Sequence, residues 1–163
     1  ENQRNKVVSI AKADGYSDDE IAIVEGKESA IKLKEEERET IKEMKSLIER
    51  EKPDMVITHW PIDSRRDHRV CSILVYDAWR QSGYSFDLYY GEVMTGLQTQ
   101  NFSPTFWVNI TDTHNKKVEA YYCHTSQGME AVQEYHDAME IMRGMECHTK
   151  YGEAFVKQQW KED

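Results

Sequence analysis

The chain has 163 residues, 39% hydrophobic and 31% charged, with 21 Lys and Arg against 30 Asp and Glu and a formal net charge of -9. That length suits one domain, and a chain of this size buries about 68–70% of the surface its unfolded form exposes, enough for a real core. The acidic excess argues against nucleic acid or an anionic membrane as the main partner, and no apolar run approaches the roughly 20 residues that span a bilayer.

Cys71, Cys123 and Cys147 are an odd, widely spaced set without a Cys-x-x-Cys pair, which predicts reduced, buried thiols and a cytoplasmic setting. Val7, Val8, Ile10 and Ala11 cluster at helical spacing, and Gly15 supplies a stop. Ile21-Ala22-Ile23-Val24 reads as a short strand behind the acidic turn at 17–20. Over 34–51, Glu35 pairs with Arg38 and Glu39 with Lys42 while Ile41, Met44, Leu47 and Ile48 form an apolar stripe; this predicts a helix that Pro53 ends. Met55-Val56-Ile57-Thr58 then reads as a fully buried strand that delivers His59, Trp60 and Pro61 at its C-terminal end. A loop over 62–66 leads to a second amphipathic helix. Asp67 and His68 fall in its first turn, Val70, Ile73, Leu74 and Ala78 share a face, and Gly83 stops it.

Residues 86–93 and 105–110 have strand composition, and the polar stretch between them, holding Gly96 and Pro104, is placed to close over a site. Asp112 or Thr113 caps a helix through Tyr122. Ser126 caps another, in which Val132, Tyr135, Met139 and Met142 repeat along one side. The segment 151–156 is apolar enough to pack back. No repeat or linker divides the chain, so the expectation is a single domain over 1–163: a Rossmann-like, three-layer α/β fold with a mostly parallel sheet.

In such a sheet ligands collect beyond the C-terminal ends of parallel strands, which is where 59–69 falls. His59, Asp63, Asp67 and His68 offer the imidazole and carboxylate groups that Zn²⁺ takes in catalytic sites. The plainer alternative is that Asp67 neutralises the helix N-terminus, His68 is a solvated surface group and His59 is a satisfied core group.

Lys52-Pro53-Asp54-Met55-Val56-Ile57-Thr58-His59, followed by Asp63-Ser64-Arg65-Arg66-Asp67-His68-Arg69-Val70, resembles the second block of the PIG-L/LmbE-type deacetylase family, a Pro-Asp strand followed by His-Pro-Asp-His-Arg. Lys117-Val118-Glu119-Ala120 through His124-Thr125-Ser126-Gln127 resembles the family's helix and its His-x-Ser-Gln turn. Arg143-Gly144 and Tyr151-Gly152-Glu153-Ala154-Phe155 resemble its C-terminal elements. The resemblance spans roughly residue 34 to the end. It implies a zinc-dependent hydrolase that removes acetyl groups from N-acetylglucosamine-type sugars or related N-acyl substrates. His68 corresponds to a zinc ligand and Asp67 to the residue that orients a neighbouring catalytic histidine.

Two departures accompany it. The family's N-terminal Ala-His-Pro-Asp-Asp-Glu block has no counterpart: Ser17-Asp18-Asp19-Glu20 imitates only its acidic end, and no histidine precedes His59. The expectation is that the first strand and its metal loop are missing, so that His68 and Asp63 would leave most metal positions to water. Arg65 takes the place of the motif's first histidine; it can stabilise an oxyanion or pair with Asp67 but cannot act as a general acid. The predicted site is therefore Asp67 and Arg65 as catalytic groups, His68 as metal ligand, and Glu92, His124 and Trp60 as contacts to a small amino-sugar substrate, with Trp60 able to stack on a pyranose ring. A homo-oligomer is left open. The alternative is an inactive family member that binds a sugar or protein.

Overall fold

The computed structural model describes residues 39–124 and 128–160. The expected helix ending at Gly15, the strand at 21–24, the turn at 17–20 and the Ser126 cap lie outside the described residues. Helix α1 spans Glu39–Glu51, β1 Met55–His59, α2 Arg66–Gln81, β2 Asp87–Gly91, β3 Phe106–Asn109, α3 His114–Tyr122, α4 Gln133–Glu146 and β4 Gly152–Lys157, with a 3₁₀ turn at Met129–Ala131 before α4. The strands form one mixed sheet in the order β1-β2-β4-β3. β1 runs parallel to β2, pairing Met55 with Asp87 through His59 with Gly91, and β4 runs antiparallel to β2, pairing Gly91 with Phe155. The parallel pairing expected of the sheet is thus confined, among the registers seen, to β1 and β2, while the C-terminal segment closes on β2 in the opposite sense.

By contact the described residues gather into two compact units, one holding 39–106 with 154–160, the other 107–124 with 128–153. In the first unit Trp79 from α2 packs with Phe86, Leu88 and Tyr90, and Ile48 of α1, Val56 of β1 and Val156 of β4 complete this core. The Trp79 indole N–H is not wasted by burial, because it donates to Phe86 O at 2.8 Å. Helix α1 stops where Lys52 turns left-handed at φ 46° ahead of Pro53, and α2 stops at Gly83, φ 71°, the turn geometry that glycine adopts without cost.

Expectations about burial are corrected at three elements. Strand β1 is not buried on both faces: Met55 and Ile57 are about half exposed, and only Thr58 is buried. On α2, Ile73 is exposed and the buried positions are Ser72, Leu74, Ala78 and Trp79. On α4 the apolar stripe is not the buried side, since Tyr135 and Met142 are exposed while Glu140, Arg143 and Gly144 are buried. Polar groups take that face because each finds charged partners there, as described below. The three cysteines are free and half-buried, so the thiols expected to be buried are partly accessible. No helix among the described residues is long and apolar enough to cross a membrane.

Candidate active site

Strand β1 hands the chain to the segment 59–65, which the loop after β2 holds in place. Ser64 N donates to Gln98 O at 3.0 Å and Gln100 N to Ile62 O at 2.9 Å, so Asp63 and Thr99 form an isolated antiparallel bridge. The stretch expected to close over a site is thus bonded directly to the segment carrying it.

Asp63 is the centre of this arrangement. Its side chain is 1% exposed, and every filled position on its two oxygens comes from nearby residues. Oδ1 accepts Arg65 N at 2.7 Å, a local turn that starts α2. Oδ2 lies 3.2 Å from His68 Nδ1 and accepts Gln98 Nε2 at 3.3 Å and Thr99 Oγ1 at 3.5 Å. Gln98 Nε2 also sits 2.9 Å from His68 Nδ1, and Arg69 Nη1 donates to the Asp63 carbonyl at 2.5 Å. The Asp63 carboxylate favours a proton on Nδ1 and with it a lone pair on Nε2, the arrangement that metal-ligating histidines use, whereas the Gln98 amide nitrogen can only donate and favours a bare Nδ1.

The His59 ring stacks on His68, centroids 3.8 Å apart and 15° from coplanar. Burial first, then His68, pushes the His59 imidazole below its usual value, against a smaller opposing pull from Asp63 and Asp67, so the stacked pair does not place two imidazolium ions face to face at neutral pH. Asp67 and Arg65 lie at the exposed start of α2, Arg65 Nε 3.7 Å from Asp67 Oδ1. Slight burial works the other way, but the amides at the helix N-terminus, His68 and Arg65 together hold the Asp67 carboxyl below its usual value.

Of the groups read from the sequence, the structure brings His59, Asp63 and His68 into contact and leaves Asp67 beside Arg65 at the exposed start of α2. Trp60 follows β1, but its indole donates to Gln100 O at 2.9 Å and its ring packs edge-on against Tyr90 and Phe102. Glu92 follows β2, half-buried, and accepts a hydrogen bond from Thr95 Oγ1. His124 belongs to the other unit, exposed just past α3, its backbone N donating to Tyr121 O. Gln98 and Thr99 went unpredicted: thirty and more residues from His68, in a turn, they carry no periodic signal, and only the polar character of their loop hinted at them.

The site offers zinc one ligand of a preferred kind, an imidazole with a buried carboxylate behind it. Residues 3–79 match the family model described as PIG-L: GlcNAc-PI de-N-acetylase. The match begins well ahead of residue 34, where the motif resemblance starts, and ends within α2. No curated protein matches the chain. Among solved structures, the 4-carboxy-2-hydroxymuconate hydratase GalB of Pseudomonas putida KT2440 is similar at 19% identity and TM-score 0.72, covering 98% of this chain and 73% of its own. N,N'-diacetylchitobiose deacetylase of Pyrococcus horikoshii is similar at 18% identity and TM-score 0.71, covering 95% of this chain and 62% of its own. The conserved protein TT1542 of Thermus thermophilus is similar at 19% identity and TM-score 0.67, with 98% and 77% covered. The Pro53-Asp54 strand and the Asp67-His68 helix start both lie inside the matched segment, so the part of the chain that carries these groups is similar to the PIG-L family.

Proposed function

We propose that this chain is a metal-dependent hydrolase that removes an acetyl group from an N-acetylglucosamine-type amino sugar or its glycoside. The carrying observation is the Asp63–His68 pair, which leaves His68 Nε2 as a donor beyond the end of β1 within the segment matching the family. His68 would hold Zn²⁺, and zinc supplies a Lewis acid for the amide carbonyl and for water. Asp63 fixes the ring and its tautomer. Because Arg65 stands where the histidine that Asp67 would orient is expected, we assign Asp67 the role of taking a proton from water, and the Arg65 guanidinium favours negative charge developing on the acyl oxygen. Arg65 gives the site a permanent cation where a histidine would trade protons, so the proton that Asp67 takes from water is the one passed on to the leaving amine. Glu92 and Trp60 are the proposed contacts to the sugar on this unit. A hydratase and a deacetylase share this fold, and the reaction therefore rests on the site rather than on the architecture.

The test is acetate release from N-acetylglucosamine and N,N'-diacetylchitobiose by zinc-loaded protein. The expected result is release by the wild type and a loss of about 100-fold or more in His68→Ala, exceeding what removal of a supporting residue costs. Equal release by His68→Ala, or none by the wild type, overturns the reading.

A further inference from the structure

The unit holding 107–153 contains a second set of metal-ligating groups, on different elements and outside the segment that matches the family. Helix α3 presents His114 and Lys117 one turn apart, and α4 presents Asp137 and Glu140 at the same spacing, so each pair shares a helix face. His114 Nε2 lies 3.1 Å from Glu140 Oε2 and 3.5 Å from Asp137 Oδ1, and the donor atoms of all three residues fall within 4.8 Å of one another. The Glu140 side chain is 1% exposed and that of His114 10%. Yet His114 Nε2, Asp137 Oδ1 and Glu140 Oε2 are buried and, beyond these mutual approaches, have no hydrogen-bond partner. Three such atoms converging in the interior is costly unless something satisfies them together.

We infer that His114, Asp137 and Glu140 form a binding site for a divalent transition-metal ion of the zinc type. Donors about 2.1 Å from one such ion lie roughly 3–3.5 Å apart along the edges of its coordination shell, which the two measured separations meet. One imidazole with two carboxylates suits zinc or its neighbours and not Mg²⁺ or Ca²⁺, which prefer oxygen throughout.

The surroundings are built as supporting shells of metal sites are built. Glu140 turns only Oε2 to the cluster: its Oε1 accepts Tyr121 OH at 3.0 Å and lies 2.8 Å from Lys117 Nζ, which also pairs with Glu153. The His114 ring is clamped flat against Tyr151, centroids 3.7 Å apart. Carboxylates from Asp137, Glu140 and Glu153 surround the one Lys117 ammonium, an excess of negative groups that a divalent cation offsets. Asp137, the most exposed of the three at 36%, gives the ion its entry side.

The experiment is a titration of the full chain with Zn²⁺ and with Co²⁺, read by calorimetry and by the cobalt absorption spectrum, using His68→Ala throughout so that the site of the proposed function is silent. Binding of one equivalent that is lost in His68→Ala/His114→Ala, and weakened by more than about 10-fold in His68→Ala/Asp137→Asn, supports the site. The second variant changes a partly exposed residue and keeps the test readable should the His114 change fail to fold. No binding by His68→Ala, or equal binding by the double variants, overturns it. Failure of acetate release leaves this result unaffected, since neither reading depends on the other.

Discussion

A buried carboxylate is tolerated when its oxygens are filled, and Asp63 fills them with one amide, one carboxamide, one hydroxyl and the His68 ring. Those bonds make it a positioning residue for His68. Asp63→Asn should weaken zinc binding at His68 about 10–100-fold, measured in a His114→Ala background, while His59 and His68 remain stacked. Unchanged affinity with an intact fold contradicts the role. A second carboxylate gives a pH signature away from either metal cluster. Glu146 accepts the Trp107 indole at 2.7 Å and Arg143 Nη1 at 2.9 Å. Burial pulls the other way, but these partners hold its carboxyl below the ordinary 4.5. Its contribution to stability is therefore complete above that value and disappears as pH falls through the lower, folded-state value. The gap in urea midpoint between wild type and Glu146→Gln should narrow as pH drops below 4.5, and a gap that stays constant would count against the pairing.

At the scale of elements, α4 shows why periodicity alone mistook a face. Val132, Tyr135, Met139 and Met142 recur at helical spacing, but the buried side carries Glu140 and Arg143, whose charges are met by Lys117 and Glu146. A sequence pattern registers hydrophobicity, not the partners that make a polar side burial-competent. The motif at the start of α2 was readable because strand, loop and helix start are contiguous, whereas His114 and Asp137 meet only after α3 and α4 have formed. The end of α4 also meets the start of β4 through two glycines. A Cβ on Gly144 would lie 2.8 Å from Lys150 C and O, and one on Gly152 would lie 2.8 Å from Arg143 C and O, backbone atoms that cannot swing aside. Gly144→Ala and Gly152→Ala should each cost about 1–3 kcal/mol in urea unfolding. A neutral effect would show that this approach is looser than the structure has it.

Across the whole molecule, the α/β class and the order of elements from α1 to α4 followed from composition and spacing, while β4 was read only as a segment that packs back, because nothing in its local pattern says which neighbour it joins. Leu88, fully buried in the middle of β2, anchors the first unit's core among Trp79, Phe86 and Tyr90. Leu88→Ala should destabilise by about 2–5 kcal/mol, and a loss under about 1 kcal/mol would place the core elsewhere. The central claim, that this core presents the free Nε2 of His68 to a metal, is tested most directly by long-range proton–nitrogen NMR of the histidine rings in the full chain. The account predicts that His68 carries its proton on Nδ1 and that its Nε2 resonance moves on addition of zinc. A proton found on Nε2, or an Nε2 resonance indifferent to zinc, would contradict it.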